Sequence, residues 1–122
     1  CISRGAKKVT FVEQDKNAAN ILNENLVKLN IKSKATIINN KVEKILGNNK
    51  IKKFDIFFFD PPFTNKEFVQ TLNSIKNSKI YKIKHVVIIH REKKTQDKLN
   101  SFIDIILSKQ YGRSKIIFGV FN

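Results

Sequence analysis

Apolar residues fall along this chain in two rhythms, one continuous or alternating and one of every third or fourth position. The first marks strands. Its strongest instance is Phe54-Asp55-Ile56-Phe57-Phe58-Phe59, a near-continuous run suited to a strand buried on both faces of a sheet. Residues 8–13, 35–39, 85–89, 103–107 and 116–121 read the same way, the last two joined around Tyr111-Gly112-Arg113 as a closing hairpin. The second rhythm marks helices. Asp15 stands as the N-cap of one whose apolar positions Ala18, Leu22, Leu26 and Leu29 share a face. Asn40 opens a short helix, with Glu43 completing a capping box and Gly47 as the stop. Thr64-Asn65-Lys66-Glu67 opens another, with Phe68, Leu72 and Ile75 on its buried side. Residues 48–53 form a basic connector, and 92–100 a polar loop with a short helix. Strands alternating with helices predict an α/β fold: one domain, residues 1–122, with a Rossmann-like sheet, helices on both faces and a C-terminal antiparallel hairpin.

The strongest strand stops at Asp60-Pro61-Pro62-Phe63. The prolines lack amide hydrogens and fix their φ angles, so the strand cannot run through them. A stiff loop results at the carboxyl end of a central strand, where open α/β sheets place their ligands. Asp-Pro-Pro-Phe is also a form of the Asp/Asn-Pro-Pro-aromatic motif of S-adenosylmethionine-dependent amino methyltransferases. Their target nitrogen is a poor nucleophile, because its lone pair is delocalised into a ring or carbonyl. Two acceptors must bind its hydrogens and turn the lone pair outward; the Asp60 side chain and the Pro61 carbonyl supply them. Phe63 supplies a face for stacking an extruded base. The plain alternative is an ordinary Pro-Pro turn with an Asp cap.

Glu13 ends the strand at residues 8–13, a place where one carboxylate accepts from both hydroxyls of a cofactor ribose. A solvated acid at a strand end is its bland reading. Asn39 and Asn40, after the next strand, stand where adenine contacts are expected, although Asn40 serves equally as a helix cap.

Composition narrows the partners. With 122 residues, 41% of them hydrophobic, the chain is long enough for a real core. No apolar run reaches the length of a membrane span. A single cysteine, Cys1, excludes an internal disulfide framework and fits a reducing cytoplasm. No metal site is expected, since His85 and His90 have no ligand-like neighbours in the sequence. A formal charge of +14 favours a polyanion such as rRNA, tRNA or DNA. Only three of the 24 basic residues are arginine, so part of that charge reflects an AT-rich genome's preference for lysine codons. There is no Met, and Cys1-Ile2-Ser3-Arg4-Gly5-Ala6 reads as the last turn of a helix closed by glycine. The chain is therefore expected to lack an amino-terminal part.

Ser3-Arg4-Gly5-Ala6, Val12-Glu13, Asp60-Pro61-Pro62-Phe63 and Tyr111-Gly112 before a final strand, in that order, resemble the RsmD family of 16S rRNA guanine-N2 methyltransferases. The likeness covers essentially the whole chain. It implies a seven-stranded class I fold, S-adenosylmethionine as cofactor, and as partner the 16S rRNA of the small ribosomal subunit, modified by a monomer. It also implies that Glu13 binds the ribose, that Asp60 and Pro61 hold the guanine amine, and that Phe63 stacks on the base. Two features depart from it. The family's glycine-rich cofactor loop lies upstream of Cys1, on a strand expected between those at 8–13 and 54–59. The chain alone is thus expected to bind cofactor weakly at most. Lys41 stands where the family often carries an acid, and lysine cannot accept the adenine amino hydrogen; Asn40 is the replacement. Lys50, Lys52, Lys53, Lys93 and Lys94 are expected near the active face, on RNA phosphates. Rival readings are a DNA adenine-N6 methyltransferase, a protein glutamine methyltransferase, and an inactive RNA-binding remnant.

Overall fold

The computed structural model describes residues 1–47, 50–62, 64–65 and 67–122. They form two compact units, Cys1–Ile45 and Leu46–Asn122.

The first unit opens with a 3-10 turn, Ile2–Arg4, closed by Gly5 at φ 95° with its amide donating to the Ile2 carbonyl. That left-handed conformation is one glycine adopts without steric cost. Strand β1 (Val9–Val12), helix α1 (Lys16–Lys28), strand β2 (Ala35–Ile38) and the single-turn α2 (Val42–Ile45) follow. β1 and β2 pair in parallel, Val9 opposite Ala35 and Val12 opposite Ile38. Asp15 caps α1 as expected, its Oδ1 accepting from the Ala18 amide at 2.7 Å. The buried stripe of α1 runs through Ala19 and Leu26, whereas Ala18 and Leu29 are exposed. The i, i+3, i+4, i+7 set starting at Ala19 takes in Asn23, a polar residue that hides the true phase. Leu29 lies past the helix end, where Asn30 turns left-handed at φ 54°.

The second unit contains β3 (Phe54–Phe59), α3 (Phe68–Ser78), β4 (Tyr81–Glu92), β5 (Ile103–Tyr111) and β6 (Ser114–Phe121). Its sheet has the order β3-β4-β6-β5. β3 runs parallel to β4; the pairs β4–β6 and β5–β6 are antiparallel, and β5 and β6 form the expected hairpin, longer than its apolar cores. β4 likewise outruns its apolar core at 85–89, pairing with β6 as far as Glu92 at one end and reaching Tyr81 opposite Phe54 at the other.

The core lies on one face of this sheet. Phe68, Leu72 and Ile75 of α3 are buried as their spacing implies, together with Phe57, Val87, Ile89, Ile117 and Phe121. β3 is not buried on both faces: Ile56 and Phe58 are more than half exposed, and only Phe57 is buried. Within this unit α3 covers one face, and strand alternation sends Ile56 and Phe58 to the other. Helix α3 starts at Phe68 rather than after Thr64; Glu67 takes the N-cap position, with its amide donating to Asn65 Oδ1 at 2.8 Å. Lys66 of the expected capping box, and Asn48 and Asn49 of the connector, lie outside the described residues. The expected short helix at 92–100 is absent among the described residues. The Thr95 amide and hydroxyl both donate to the Glu92 carbonyl, and Asp97 is drawn to Arg91, so side chains take the roles helical bonds would have filled.

β1 pairs only with β2, and β3 only with β4, among the described residues.

Gly119 on β6 sets how closely the hairpin packs. A Cβ there would lie 2.6 Å from the Asp104 carbonyl oxygen, beside the irregularity in β5 at Ile105–Leu107. Gly119→Ala is therefore expected to force main chain against main chain and lower stability by about 1–3 kcal/mol. Urea denaturation of the two proteins checks this; an unchanged midpoint would show that the strands separate freely here.

Candidate active site

Parallel pairing carries β3 and β4 to the same edge of the sheet, Phe59 opposite Ile89. Asp60, Pro61 and Pro62 follow directly from β3, while His90 and Arg91 are the next residues of β4. Successive strand residues point to opposite faces. His90 and Arg91 therefore reach the proline loop from two sides.

On one side, His90 Nδ1 donates to Asp60 Oδ1 at 2.8 Å. Among the described residues Asp60 Oδ2 accepts no hydrogen bond, and 61% of the Asp60 side chain is exposed. On the other side, Arg91 is buried to 1% exposure. Its Nη1 donates to the Pro62 carbonyl at 3.0 Å, and its Nε and Nη2 donate to Asp97 Oδ2 and Oδ1 at 2.9 and 3.3 Å. Its carbon Cζ lies 4.4 Å from the centre of the Phe68 ring. This planar fork suits guanidinium and not ammonium, because it meets a carboxylate with two bonds, a carbonyl with a third and a ring with its face. The Pro62 carbonyl also accepts from the Asn65 amide at 2.9 Å, which fixes the turn beyond it. Phe63, the expected stacking aromatic, lies outside the described residues.

The other predicted residues gather in the first unit, at the carboxyl ends of β1 and β2. The Glu13 amide donates to the Ile38 carbonyl at 3.1 Å, and Glu13 Oε1 accepts from the Asp15 amide at 2.9 Å. Oε2 takes no hydrogen bond among the described residues, so an acceptor suited to a ribose hydroxyl stands at the strand end. Asn39 is committed to the loop: its Nδ2 donates to the carbonyls of Glu13 and Gln14 at 2.9 and 3.2 Å. Asn40 Oδ1 accepts from the Lys41 amide at 2.9 Å. Together these side chains tie the two strand ends to each other and leave the Glu13 carboxylate presented. A hydroxyl of a cofactor ribose fits this acceptor. Among the described residues, no three His, Cys, Asp or Glu side chains converge on a possible metal position.

The lysines divide in two. Lys93 and Lys94 follow β4 at the edge that carries Asp60, and the Lys93 amide donates to the Arg113 carbonyl of the neighbouring hairpin turn at 2.7 Å. Lys52 and Lys53 precede β3 and lie at its opposite end, with Lys50 just before them. Some seven residues of extended chain put them about 20 Å from Asp60, which corrects the expectation that all five border one site. His90, Arg91 and Asp97 escaped the sequence reading. One signal was available: an arginine inside an apolar strand of a chain that otherwise uses lysine marks a place where lysine's geometry will not serve.

The Rossmann-like fold and the proline loop at a strand's carboxyl end define a methyltransferase-type domain. Comparisons narrow the class. The family model described as "Conserved hypothetical protein 95" matches residues 1–120. The chain is 35% identical over 94 residues to ribosomal RNA small subunit methyltransferase D of Haemophilus influenzae, covering 75% of this chain and 49% of that protein. It is 33% identical over 93 residues to the protein of the same name from Buchnera aphidicola, covering 76% and 48%. Among solved structures, a Haemophilus influenzae chain described as a methylase superposes with TM-score 0.80 at 29% identity, over 97% of this chain and 74% of that one. A methyltransferase of Podospora anserina solved with S-adenosylhomocysteine gives TM-score 0.68 at 11% identity, over 95% and 62%. The chain belongs to the RsmD family of methyltransferases. It spans about half the length of the curated relatives it matches.

The buried pair yields a test. Arg91→Met leaves Asp97, whose side chain is 11% exposed, as an uncompensated charge, and is expected to cost about 3–5 kcal/mol. Arg91→Met combined with Asp97→Leu should recover part of that loss, because replacing both charges removes the stranded one. Urea unfolding of wild type, single and double variants measures it; a double variant less stable than Arg91→Met alone would refute this account of the pair.

Proposed function

We propose that the complete protein transfers a methyl group from S-adenosylmethionine to the exocyclic N2 of a guanine in 16S rRNA of the small ribosomal subunit. The observation that carries this reading is the pinned Asp60-Pro61-Pro62 loop. It pairs an exposed carboxylate oxygen with a nearby main-chain carbonyl, in a loop held by His90 and Arg91. An aryl amine has two hydrogens and a delocalised lone pair. Asp60 accepts one hydrogen and the Pro61 carbonyl the other, which turns the lone pair away from the ring plane. When bound, the cofactor supplies a methyl whose carbon–sulfur pair returns to sulfur as the nitrogen pair forms the new carbon–nitrogen bond. The proton that the nitrogen then sheds passes to water. No strong base is needed, and positioning supplies most of the acceleration. In this reading Glu13 accepts from the cofactor ribose, Asn39 and Asn40 shape the adenine side, and Phe63 stacks on the extruded base.

RNA supplies the phosphates for the cations at the same edge as Asp60. Lys93, Lys94, Gly112, Arg113 and Glu92 line a recess of about 180 Å³ there, and the whole chain carries a formal charge of +14. The names of the relatives, together with this charge, favour rRNA over a protein substrate.

Asp60→Ala in the complete protein is expected to abolish methyl transfer to undermethylated small subunits, with cofactor affinity changed by no more than a few-fold. Radiolabelled methyl incorporation and titration calorimetry measure the two quantities. Equal loss of both would assign Asp60 to the cofactor instead. RNA affinity should fall with salt at a logarithmic slope of about −0.7 to −0.9 per phosphate contacted. Binding that is flat across the salt series would leave codon bias as the account of the charge.

A further inference from the structure

We infer that His90 is a positioning residue for the amine-binding acid, holding Asp60 so that a single carboxylate oxygen faces the substrate. The inference rests on the reading of Asp60 given above and deepens it.

A carboxylate at a strand end, 61% exposed, ordinarily rotates about its last bond and offers either oxygen. In this protein one oxygen is committed. His90 Nδ1 lies 2.8 Å from Asp60 Oδ1, and a carboxylate only accepts, so Nδ1 carries the hydrogen. The histidine is itself fixed. Its backbone pairs with Ile116 of β6, its strand neighbour Ile89 pairs with Phe59 of β3, and its side chain is only 26% exposed. The imidazole therefore projects from a strand, and the acid from the residue that directly follows the registered strand beside it, so both are placed by the sheet.

The chemical consequence is a one-sided acceptor. With Oδ1 bound to the ring, Oδ2 is the oxygen left to take an amine hydrogen. The second amine hydrogen goes to the Pro61 carbonyl, and Arg91 fixes the next carbonyl along, that of Pro62. The pair of acceptors is thus held at both ends by consecutive residues of one strand, His90 for the side chain and Arg91 for the main chain. His90 exchanges no proton in this scheme. Bonds form and break as described for the transfer step, and the released proton still passes to water. The group to be recognised is a planar exocyclic amine, which needs two acceptors at a fixed separation; a freely rotating carboxylate would sample that separation only part of the time.

Substitutions separate orientation from bulk. The side-chain amide nitrogen of asparagine falls near the position of imidazole Nδ1, and that of glutamine near Nε2. In the full-length protein, assayed on undermethylated small ribosomal subunits, His90→Leu is expected to lower kcat about 10- to 100-fold, with the KM for S-adenosylmethionine unchanged. His90→Asn should restore kcat to within a few-fold of wild type, while His90→Gln should resemble His90→Leu. A readout independent of turnover accompanies these. In wild type the ring nitrogen Nδ1 should show the ¹⁵N and proton shifts of a hydrogen bond to carboxylate, and Asp60→Ala should abolish them. If His90→Asn is as slow as His90→Leu, or if only KM moves, the inference is overturned. If Asp60→Ala is inactive while His90→Leu keeps the wild-type rate, it is overturned alone and the role of Asp60 stands. An active Asp60→Ala protein would overturn both.

Discussion

The second unit turns on a guanidinium taken out of water. Arg91 is almost wholly enclosed, and a buried charge is tolerated only when its hydrogens are matched and its field is answered. Asp97 answers the charge, the Pro62 carbonyl and the Phe68 ring complete the coordination, and each partner comes from a different segment. The loop after β4, the loop after β3 and the first turn of α3 are thus referred to one point. Removing the charge from this point would leave three segments without a common origin, although the apolar core between α3 and the sheet would still form.

This arrangement also explains how the proline loop is both stiff and usefully exposed. Pro61 and Pro62 limit the backbone by covalent means, but they cannot say where the loop points. Direction comes from β4, whose alternation supplies a buried grip on one face and a half-exposed one on the other. A side chain that had to do both tasks would be too buried to meet a ligand or too free to orient one. Splitting them between neighbours avoids that conflict. The first unit repeats the device on a smaller scale, with Asn39 stitching loop carbonyls while Glu13 stays open to solvent.

Much of this was legible in the sequence, for identifiable reasons. Strands announced themselves where apolar residues ran together, and the β3–loop junction was unmistakable because proline forbids continuation. The buried face of α3 was legible since Phe68, Leu72 and Ile75 keep phase without interruption. Helix α1 was misphased because Asn23 occupies the stripe, and hydrophobicity alone cannot see a polar residue turned inward. The lysines before β3 were placed on the wrong edge, since nearness in sequence to Asp60 was read as nearness in space across a whole strand. The grip on the proline loop was invisible for a deeper reason. His90 and Arg91 lie thirty and twenty-nine positions from the groups they hold, and only the parallel register of β3 against β4 brings them together.

That register has a consequence in time as well as in space. Hairpin β5–β6 closes through a tight turn, so its pairing is local; the β3–β4 pair must first close a loop that contains α3, at an extra entropic cost of roughly 1–2 kcal/mol. β3 is also an edge strand among the described residues, held on one side only. The acid follows a strand whose pairing with β4 is non-local, while its histidine sits on a strand paired with both β3 and β6. Opening of the β3–β4 pair separates the two without unfolding the hairpin. The contact between acid and imidazole would thus be lost before the fold that frames it.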